Sequence, residues 1–107
     1  MAEYIQIETT FAKEEDAKEM IQVLLGKRLI ACAQWCDINS AYNWEGKQRE
    51  DNEVLLKVKT QAVLLKDCER EIKQHHKYKL PQFTVSEYTG SKEYLKWVDE
   101  NTKRYGG

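Results

Sequence analysis

The chain has 107 residues, of which 41% are hydrophobic and 33% are charged, and its net charge is −1. This length predicts one domain, residues 1–107, with a single modest core. The chain lacks the basic excess that binding to a phosphate backbone requires, so we expect no nucleic-acid partner. It has no apolar run of roughly 20 residues, and its first residues lack a basic region followed by a long apolar one, so we expect no signal peptide and no membrane association. Three cysteines suit reduced thiols in a cytoplasmic protein.

The first two predicted elements are a strand and a helix. Residues 3–11 alternate between polar and apolar side chains, which predicts a half-buried strand with one inward face: Ile5, Ile7, Thr9 and Phe11. Residues 12–27 predict a helix that ends near Gly26, because apolar side chains recur there at helical spacing: Ala17, Met20, Ile21, Leu24 and Leu25.

A long β-hairpin is predicted next. Two β-like runs, residues 29–42 and 49–60, flank a turn at Glu45-Gly46, where glycine supplies the positive φ that such a turn needs. The first run carries apolar groups on both faces, which predicts that both faces are covered. The second run alternates regularly, which predicts that its apolar residues point inward: Val54, Leu56 and Val58.

The second half of the chain predicts a helix, a strand and a final helix. Residues 62–75 form the helix, and Pro81 separates it from a strand at residues 82–88. Ser91 is the expected N-cap of the last helix, residues 92–103. The order β-α-β-β-α-β plus a C-terminal helix predicts an α+β, ferredoxin-like fold. We expect an antiparallel sheet with both main helices on one face and a long β2–β3 hairpin.

The hairpin is longer than one domain of this size can contain. Residues 29–44, fully extended at about 3.3 Å per residue, would span about 53 Å. A compact domain of 100 residues is about 35 Å across. The hairpin therefore bends sharply or reaches onto another subunit. Trp35, Tyr42 and Trp44 favour the second alternative, because aromatic residues anchor interfaces. We predict self-association through the hairpin around Trp44.

Several short motifs, in order over nearly the whole chain, resemble the CutA family of divalent-cation tolerance proteins. They are Leu29-Ile30-Ala31-Cys32-Ala33, Tyr42-x-Trp44-Glu45-Gly46-Lys47, Leu56-x-Val58-Lys59-Thr60, His76-x-Tyr78-x-x-Pro81 and Tyr94-Leu95-x-Trp97. The resemblance implies a ferredoxin-like subunit and a tight homotrimer whose hairpins pair between subunits, much as in the PII signalling proteins. It also implies a link to copper and other divalent metal ions.

Two positions depart from the pattern of that family. Members usually have a proline where this chain has Lys77. Some members have a cysteine at the end of the first strand and place a metal site between it and a pair of histidines. This chain keeps the pair, His75-His76, but has Thr9 at the position of the cysteine.

The candidate metal ligands are His75, His76 and Cys32. Imidazole suits Cu²⁺, so Cu²⁺ or another divalent cation is the expected ion. The alternative is that the helix dipole alone favours histidines at a helix end. Cys32 and Cys36 lie about 13 Å apart on one strand face. Two sulfurs on one metal lie at most about 4.6 Å apart, so we interpret the pair as small buried thiols.

Other polar groups give weaker indications. We interpret the acidic run Glu45, Glu50, Asp51 and Glu53 as a solvated strand edge, and Tyr78 as a packing aromatic. No phosphate-binding loop or nucleophile motif occurs, so no catalytic residue is predicted and no enzyme is expected.

The sequence therefore predicts a homotrimeric divalent-cation tolerance protein that binds copper or other divalent ions and acts in the response to metal ions. One alternative is a PII-like signalling or interaction scaffold with no physiological metal site. A weaker alternative is an enzyme of unknown reaction in a cleft between subunits.

Overall fold

The computed structural model describes residues 3–103 and has the predicted order of strands and helices. Its elements are β1 (Tyr4–Phe11), α1 (Glu14–Gly26), β2 (Cys32–Trp44), β3 (Lys47–Gln61), a 3-10 turn (Ala62–Leu64), α2 (Leu65–His75), β4 (Thr84–Glu87) and α3 (Lys92–Glu100). The α+β architecture is confirmed. Within residues 3–103, none of the helices is both long and apolar enough to cross a membrane.

The four strands form one antiparallel sheet in the order β2-β3-β1-β4. β1 pairs with β3 up to Phe11, which lies opposite Val54. β2 pairs with β3 along its whole length, from Cys32 opposite Lys59 to Trp44 opposite Lys47. Strand β3 therefore has two neighbours over residues 54–59, only β1 over residues 60–61 and only β2 over residues 47–53.

The core lies on one face of the sheet, between the sheet and the two main helices. The inward residues of β1 and β3 pack with α1 and α2 in one buried cluster, as predicted; among them are Ile7, Leu56, Val58, Leu24 and Ile72. Both helices therefore cover the same face. Leu25, the last residue of the predicted apolar stripe of α1, is not buried, because 40% of its surface is exposed. Leu25 lies about 100° around α1 from the fully buried Leu24 and so points away from the sheet.

We define the arm as residues 38–44 of β2 and residues 47–53 of β3, the part of the hairpin beyond β1. Its seven pairs extend about 23 Å at the usual rise of a strand. The turn has positive φ at both Glu45 (50°) and Gly46 (78°), which is the combination that a type I′ hairpin turn needs. The longest dimension of the molecule is 45 Å, which agrees with a hairpin that projects instead of folding back.

The start of β2 differs from the prediction. The strand begins at Cys32, because Leu29 and Ile30 leave the sheet edge and insert into the core at 4% and 1% exposure. Arg28 has a φ of 57°, and the N–H of Leu29 donates to the carbonyl of Leu24 at 3.0 Å. The expected cover on both faces of this strand was wrong within the described chain, since no residue of β2 is fully buried.

The last strand and the last helix are shorter than predicted. β4 spans only Thr84–Glu87, and α3 ends at Glu100. The predicted N-cap is confirmed, because Ser91 Oγ accepts a hydrogen bond from the N–H of Tyr94 at 3.1 Å.

Candidate functional site

His76 lies at the carboxyl end of β1 and uses both of its ring nitrogens. Its ring stacks on Phe11 with 4.4 Å between the ring centroids and 7° between the planes. Nε2 lies 2.8 Å from the carbonyl oxygen of Thr10 and 3.2 Å from Oγ1 of Thr9. Nδ1 accepts a hydrogen bond from the N–H of Tyr78 at 3.1 Å. These contacts fix the tautomer with the proton on Nε2, which donates to Thr10.

This arrangement makes His76 a neutral anchor for the segment that follows α2. Burial lowers the pKa of His76 below its usual range, although the hydrogen bond to Thr10 acts in the opposite direction. A cation at either nitrogen would have to displace one of these two hydrogen bonds. Thr9 lies beside the histidine, but its hydroxyl offers no thiolate.

His75 lies at the last turn of α2 and keeps one nitrogen accessible. Its Nδ1 lies 2.9 Å from the backbone carbonyl oxygen of Glu71 and 3.6 Å from Oε1 of the same residue. The contact with the carbonyl assigns the proton to Nδ1, so Nε2 carries the lone pair. The side chain is 40% exposed, and no hydrogen bond reaches Nε2 from residues 3–103. Lys27 donates to Glu71 at 2.9 Å and lowers the pKa of that carboxyl group.

Cys32, the third predicted ligand, lies far from both histidines. It pairs with Lys59 at the start of β2, on the sheet face opposite the core. Strand spacing and rise put it about 15 Å from the Thr9–Thr10 end of β1, where His76 is anchored. Residues 3–103 contain no group of three or more His, Cys, Asp and Glu side chains that could hold a metal. Within one chain, the structure therefore does not bring the three predicted ligands together.

The interpretation of Cys32 and Cys36 as buried thiols was wrong. Cys36 is exposed and Cys32 is half-buried, and both lie on β2, an edge strand whose outer side has no partner strand within residues 3–103. The buried thiol is Cys68 on α2, which donates to the carbonyl oxygen of Leu29 at 3.4 Å. Burial raises the pKa of Cys68 to about 12, so it is a neutral core residue at ordinary pH.

Two tyrosines donate hydrogen bonds to two of the carboxylates of the arm. The hydroxyl of Tyr78 donates to Glu53 Oε2 at 2.8 Å, and the hydroxyl of Tyr42 donates to Asp51. Burial, together with the neighbouring carboxylates, raises the pKa of Tyr78. Glu45, Glu50 and Asp51 are exposed, as a solvated edge requires, whereas Glu53 is half-buried against the segment after α2. Tyr78 contacts the His76 ring at 5.1 Å, which agrees with its predicted packing role.

The segment after α2 is also tied to α1. The Nζ of Lys77 donates to Asp16 Oδ1 at 2.6 Å. That hydrogen bond raises the pKa of Lys77. Asp16 is only 13% exposed in its side chain, so this contact is better shielded than a free surface pair. The anchor at His76 and the ion pair of the next residue, Lys77, together hold the start of this segment against β1 and α1.

A cavity of about 760 Å³ lies between the arm and the segment after α2. The arm contributes Tyr42, Trp44 and Arg49, and the segment contributes residues 78–82. Sequence reasoning missed the cations of this cavity, Arg49 and Lys79. A signal for Arg49 was present, because alternation places it on the same strand face as Glu53, which Tyr78 contacts.

These features describe a small α+β protein in which a long two-stranded arm projects from a four-stranded sheet and a histidine anchors the adjoining segment. Residues 5–101 match the family described as CutA1 divalent ion tolerance protein. The chain belongs to this CutA family of divalent-cation tolerance proteins.

Individual relatives agree with this assignment. The divalent-cation tolerance protein CutA of Pyrococcus horikoshii is 38% identical over 101 residues, which cover 94% of this chain and 99% of the relative. That of Thermus thermophilus is 35% identical over 95 residues, with 87% and 92% covered. A solved structure from Archaeoglobus fulgidus, titled as a periplasmic divalent cation tolerance protein CutA, superposes with a TM-score of 0.91 at 32% identity. That match covers 94% of this chain and 99% of the other.

Proposed function

We propose that this chain is a homotrimeric divalent-cation tolerance protein that binds copper or other divalent metal ions and acts in the response to them. The family match over residues 5–101 carries the proposal. The resemblance of its motifs supplies the number of subunits and the preference for copper. The proposal includes no enzymatic activity. We also propose a cytoplasmic location, which the three unpaired cysteines of the described chain support.

The arm supports the proposed assembly. A two-stranded ribbon is at best marginally stable in water, and the arm has no third strand in its own chain. The outer edge of β2 has no partner strand within residues 3–103, and it carries only one charged residue, Asp37, over thirteen positions. Such a long uncharged edge is a template for pairing with another chain. The order β2-β3-β1-β4, with both helices on one face, supports the ferredoxin-like assignment of the subunit.

His75 is the side chain of this chain that best suits a divalent cation. Its Nε2 carries a lone pair, faces no hydrogen-bond donor from residues 3–103 and belongs to an exposed side chain. Because the described residues of one chain do not form a three-ligand site, further ligands must come from water or from another copy. We therefore propose ligation by His75, with His76 and Cys32 as secondary candidates.

Calorimetric titration with Cu²⁺ tests this assignment. We expect His75→Ala to lower the affinity at least about tenfold, as expected for the loss of one of few ligands. His76→Ala should change the affinity less, because both of its nitrogens already have partners. Cys36→Ser serves as the matched control for Cys32→Ser, since the two thiols lie on the same strand face. Unchanged copper binding in the His75→Ala/His76→Ala double variant would reject the histidine site.

A second candidate function is a PII-like signalling or interaction scaffold without a physiological metal site. His76 favours this second function, because both of its ring nitrogens already have hydrogen-bond partners and its ring stacks on Phe11, so the residue acts as a structural anchor. The two functions differ in a simple measurement. If light scattering gives a trimer while calorimetry gives no copper binding tighter than that of imidazole, the scaffold is the correct function. A monomer at micromolar concentration would reject both.

A further inference from the structure

The arm leaves the domain at the point where β1 ends. Phe11, the last residue of β1, lies opposite Val54, and Glu53 is the next residue of β3 towards the turn. Within residues 3–103, β2 is the only strand that pairs with β3 beyond this point. A two-stranded ribbon is strongly twisted and at best marginally stable in water. The direction of the arm therefore depends on the contacts at its root.

A chain of hydrogen bonds crosses this root. His76 is fixed at the end of β1, where its Nε2 donates to the carbonyl oxygen of Thr10 at 2.8 Å. The N–H of Tyr78 donates to Nδ1 of the same histidine at 3.1 Å, and the centroids of the two rings are 5.1 Å apart. The hydroxyl of Tyr78 then donates to Oε2 of Glu53 at 2.8 Å. Two side chains thus connect the end of β1 to the root of the arm.

The bond between Tyr78 and Glu53 joins the arm to a segment outside the hairpin. The ion pairs found within residues 3–103 all lie outside the arm. Tyr42 also donates to a carboxylate, that of Asp51, but both of these residues belong to the arm, so their bond cannot orient the arm on the domain. Tyr78 and Glu53 are both half-buried. A hydrogen bond to an ionised carboxylate is stronger than a neutral one, and partial burial strengthens it further.

We infer that Tyr78 is a positioning residue of the arm: its bond to Glu53 fixes the angle between the arm and the sheet, and this angle sets how firmly copies of the chain assemble. An arm that is already held at one angle loses less conformational freedom when it meets another copy, so association costs less free energy. The effect on assembly rests on the proposed trimer, whereas the orientation of the arm is a property of one chain. Because the hydrogen bonds begin at His76, the segment with the candidate histidines is connected to the contact between copies.

Hydrogen exchange of the backbone amides tests the orientation of the arm. Tyr78→Phe removes the hydroxyl and keeps the ring, so the amides of residues 47–53 should exchange about tenfold faster than in wild type, while those of residues 54–60 keep their rates. Glu53→Ala should match Tyr78→Phe. Glu53→Gln keeps an oxygen that can accept the hydrogen bond, so its effect should be smaller. Mass spectrometry of peptides from the two ranges measures the rates and does not require assembly.

Exchange of subunits tests the effect on assembly. Isotopically labelled and unlabelled protein are mixed, and native mass spectrometry follows the appearance of mixed oligomers. Tyr78→Phe and Glu53→Ala should each speed the mixing about tenfold, and the double variant should be no faster than either, because both changes remove the same bond. Tyr4→Phe is the matched control. It removes a bond from a tyrosine to the carboxylate of Asp99, 2.9 Å long and outside the arm, and should leave the rate of mixing unchanged.

Two results would overturn the inference. The first is equal amide exchange at residues 47–53 in wild type and Tyr78→Phe. The second is an equal increase in the rate of mixing in Tyr78→Phe and Tyr4→Phe, because a general loss of stability would then account for both. A wild-type chain that stays monomeric would reject the proposed trimer and with it the effect on assembly. The amide exchange would still decide whether Tyr78 holds the arm.

Discussion

The two ends of the β2–β3 hairpin differ sharply, although they belong to the same two strands. Over residues 54–60, β3 alternates between buried and half-buried side chains, and Leu56 is fully buried. Over residues 47–52, every side chain of the same strand is exposed. The backbone pairing with β2 continues through both parts without interruption. The difference therefore lies in what surrounds the strands and not in the strands themselves.

This comparison shows which part of the molecule one chain can stabilise by itself. In the core half, β1 pairs with β3 and two helices cover the sheet, so apolar surface leaves water. Burial of a large aliphatic side chain contributes about 1.5–3 kcal/mol. In the arm, hydrogen bonds between two strands are the main contacts, and such bonds add little net free energy. Within one chain, burial of apolar surface therefore stabilises the core half, whereas the arm lacks this contribution.

The largest expected effect is on the core half. Leu56→Ala should lower the free energy of unfolding by about 2–5 kcal/mol, because it leaves a cavity beside a fully buried position. Ile38→Ala, the matched truncation on the arm, should cost below about 1 kcal/mol, since Ile38 is only half-buried in the chain. Urea denaturation at one fixed protein concentration measures both. Similar losses for the two variants would remove the distinction between the core half and the arm.

The next effect concerns the assembly. Trp44→Ala should weaken it by about 2 kcal/mol or more, because a tryptophan at the end of a projecting arm fits the role of an interface anchor. Trp97→Ala on α3 is the control, since Trp97 is 41% exposed and its ring contacts Tyr94 at 5.6 Å. Sedimentation over a range of concentrations gives the dissociation constants. Equal weakening in the two variants would show that the arm is not the main contact between copies.

The smallest expected effect is a dependence of the folding stability on pH. It arises from His76, which lies at the junction between the core half and the arm. Burial lowers the pKa of His76, so the unfolded chain takes up the proton at a higher pH than the folded chain. The stabilisation by neutral His76 is complete above the unfolded value of about 6.5. It is lost as the pH falls from there through the lowered pKa of the folded state.

Thermal or urea unfolding between pH 7 and pH 5 checks this expectation. His76→Gln should flatten the dependence on pH, and His75→Gln should retain the contribution of His76. A slope that is the same in wild type and His76→Gln would contradict the role of His76 as a buried neutral anchor.

Alternation and spacing were sufficient to predict the elements with regular burial. The inward face of β3 and the cap at Ser91 follow from local rules, and both are confirmed. Leu29 and Ile30 show the limit of these rules, since their composition fits a strand but they insert into the core after a turn at Arg28. Leu25 shows another limit of these rules, because the width of the buried stripe on a helix depends on how closely the sheet approaches the helix.

The sequence predicted the candidate site less well than it predicted the fold. The sequence pointed to His75 and His76 as a pair, but only the structure separates an exposed histidine with an open nitrogen from a stacked one with none. Only the structure shows that Cys32 is half-buried and Cys36 exposed, whereas Cys68 is buried. Burial of a residue on an edge strand depends on what lies across the sheet, and a sequence pattern contains no such information.

The sequence by itself determined the order of the elements, the turn at Gly46, the length of the hairpin and the membership of the CutA family. These features depend on local backbone preferences and on short motifs, which are properties of neighbouring residues. Only the tertiary structure decided that Cys32 lies far from the histidines and that Arg49 and Lys79 share a cavity with three aromatic side chains. Contacts between residues distant along the chain depend on sheet register and on the path of the segment after α2, and both are set by the packing of the whole domain.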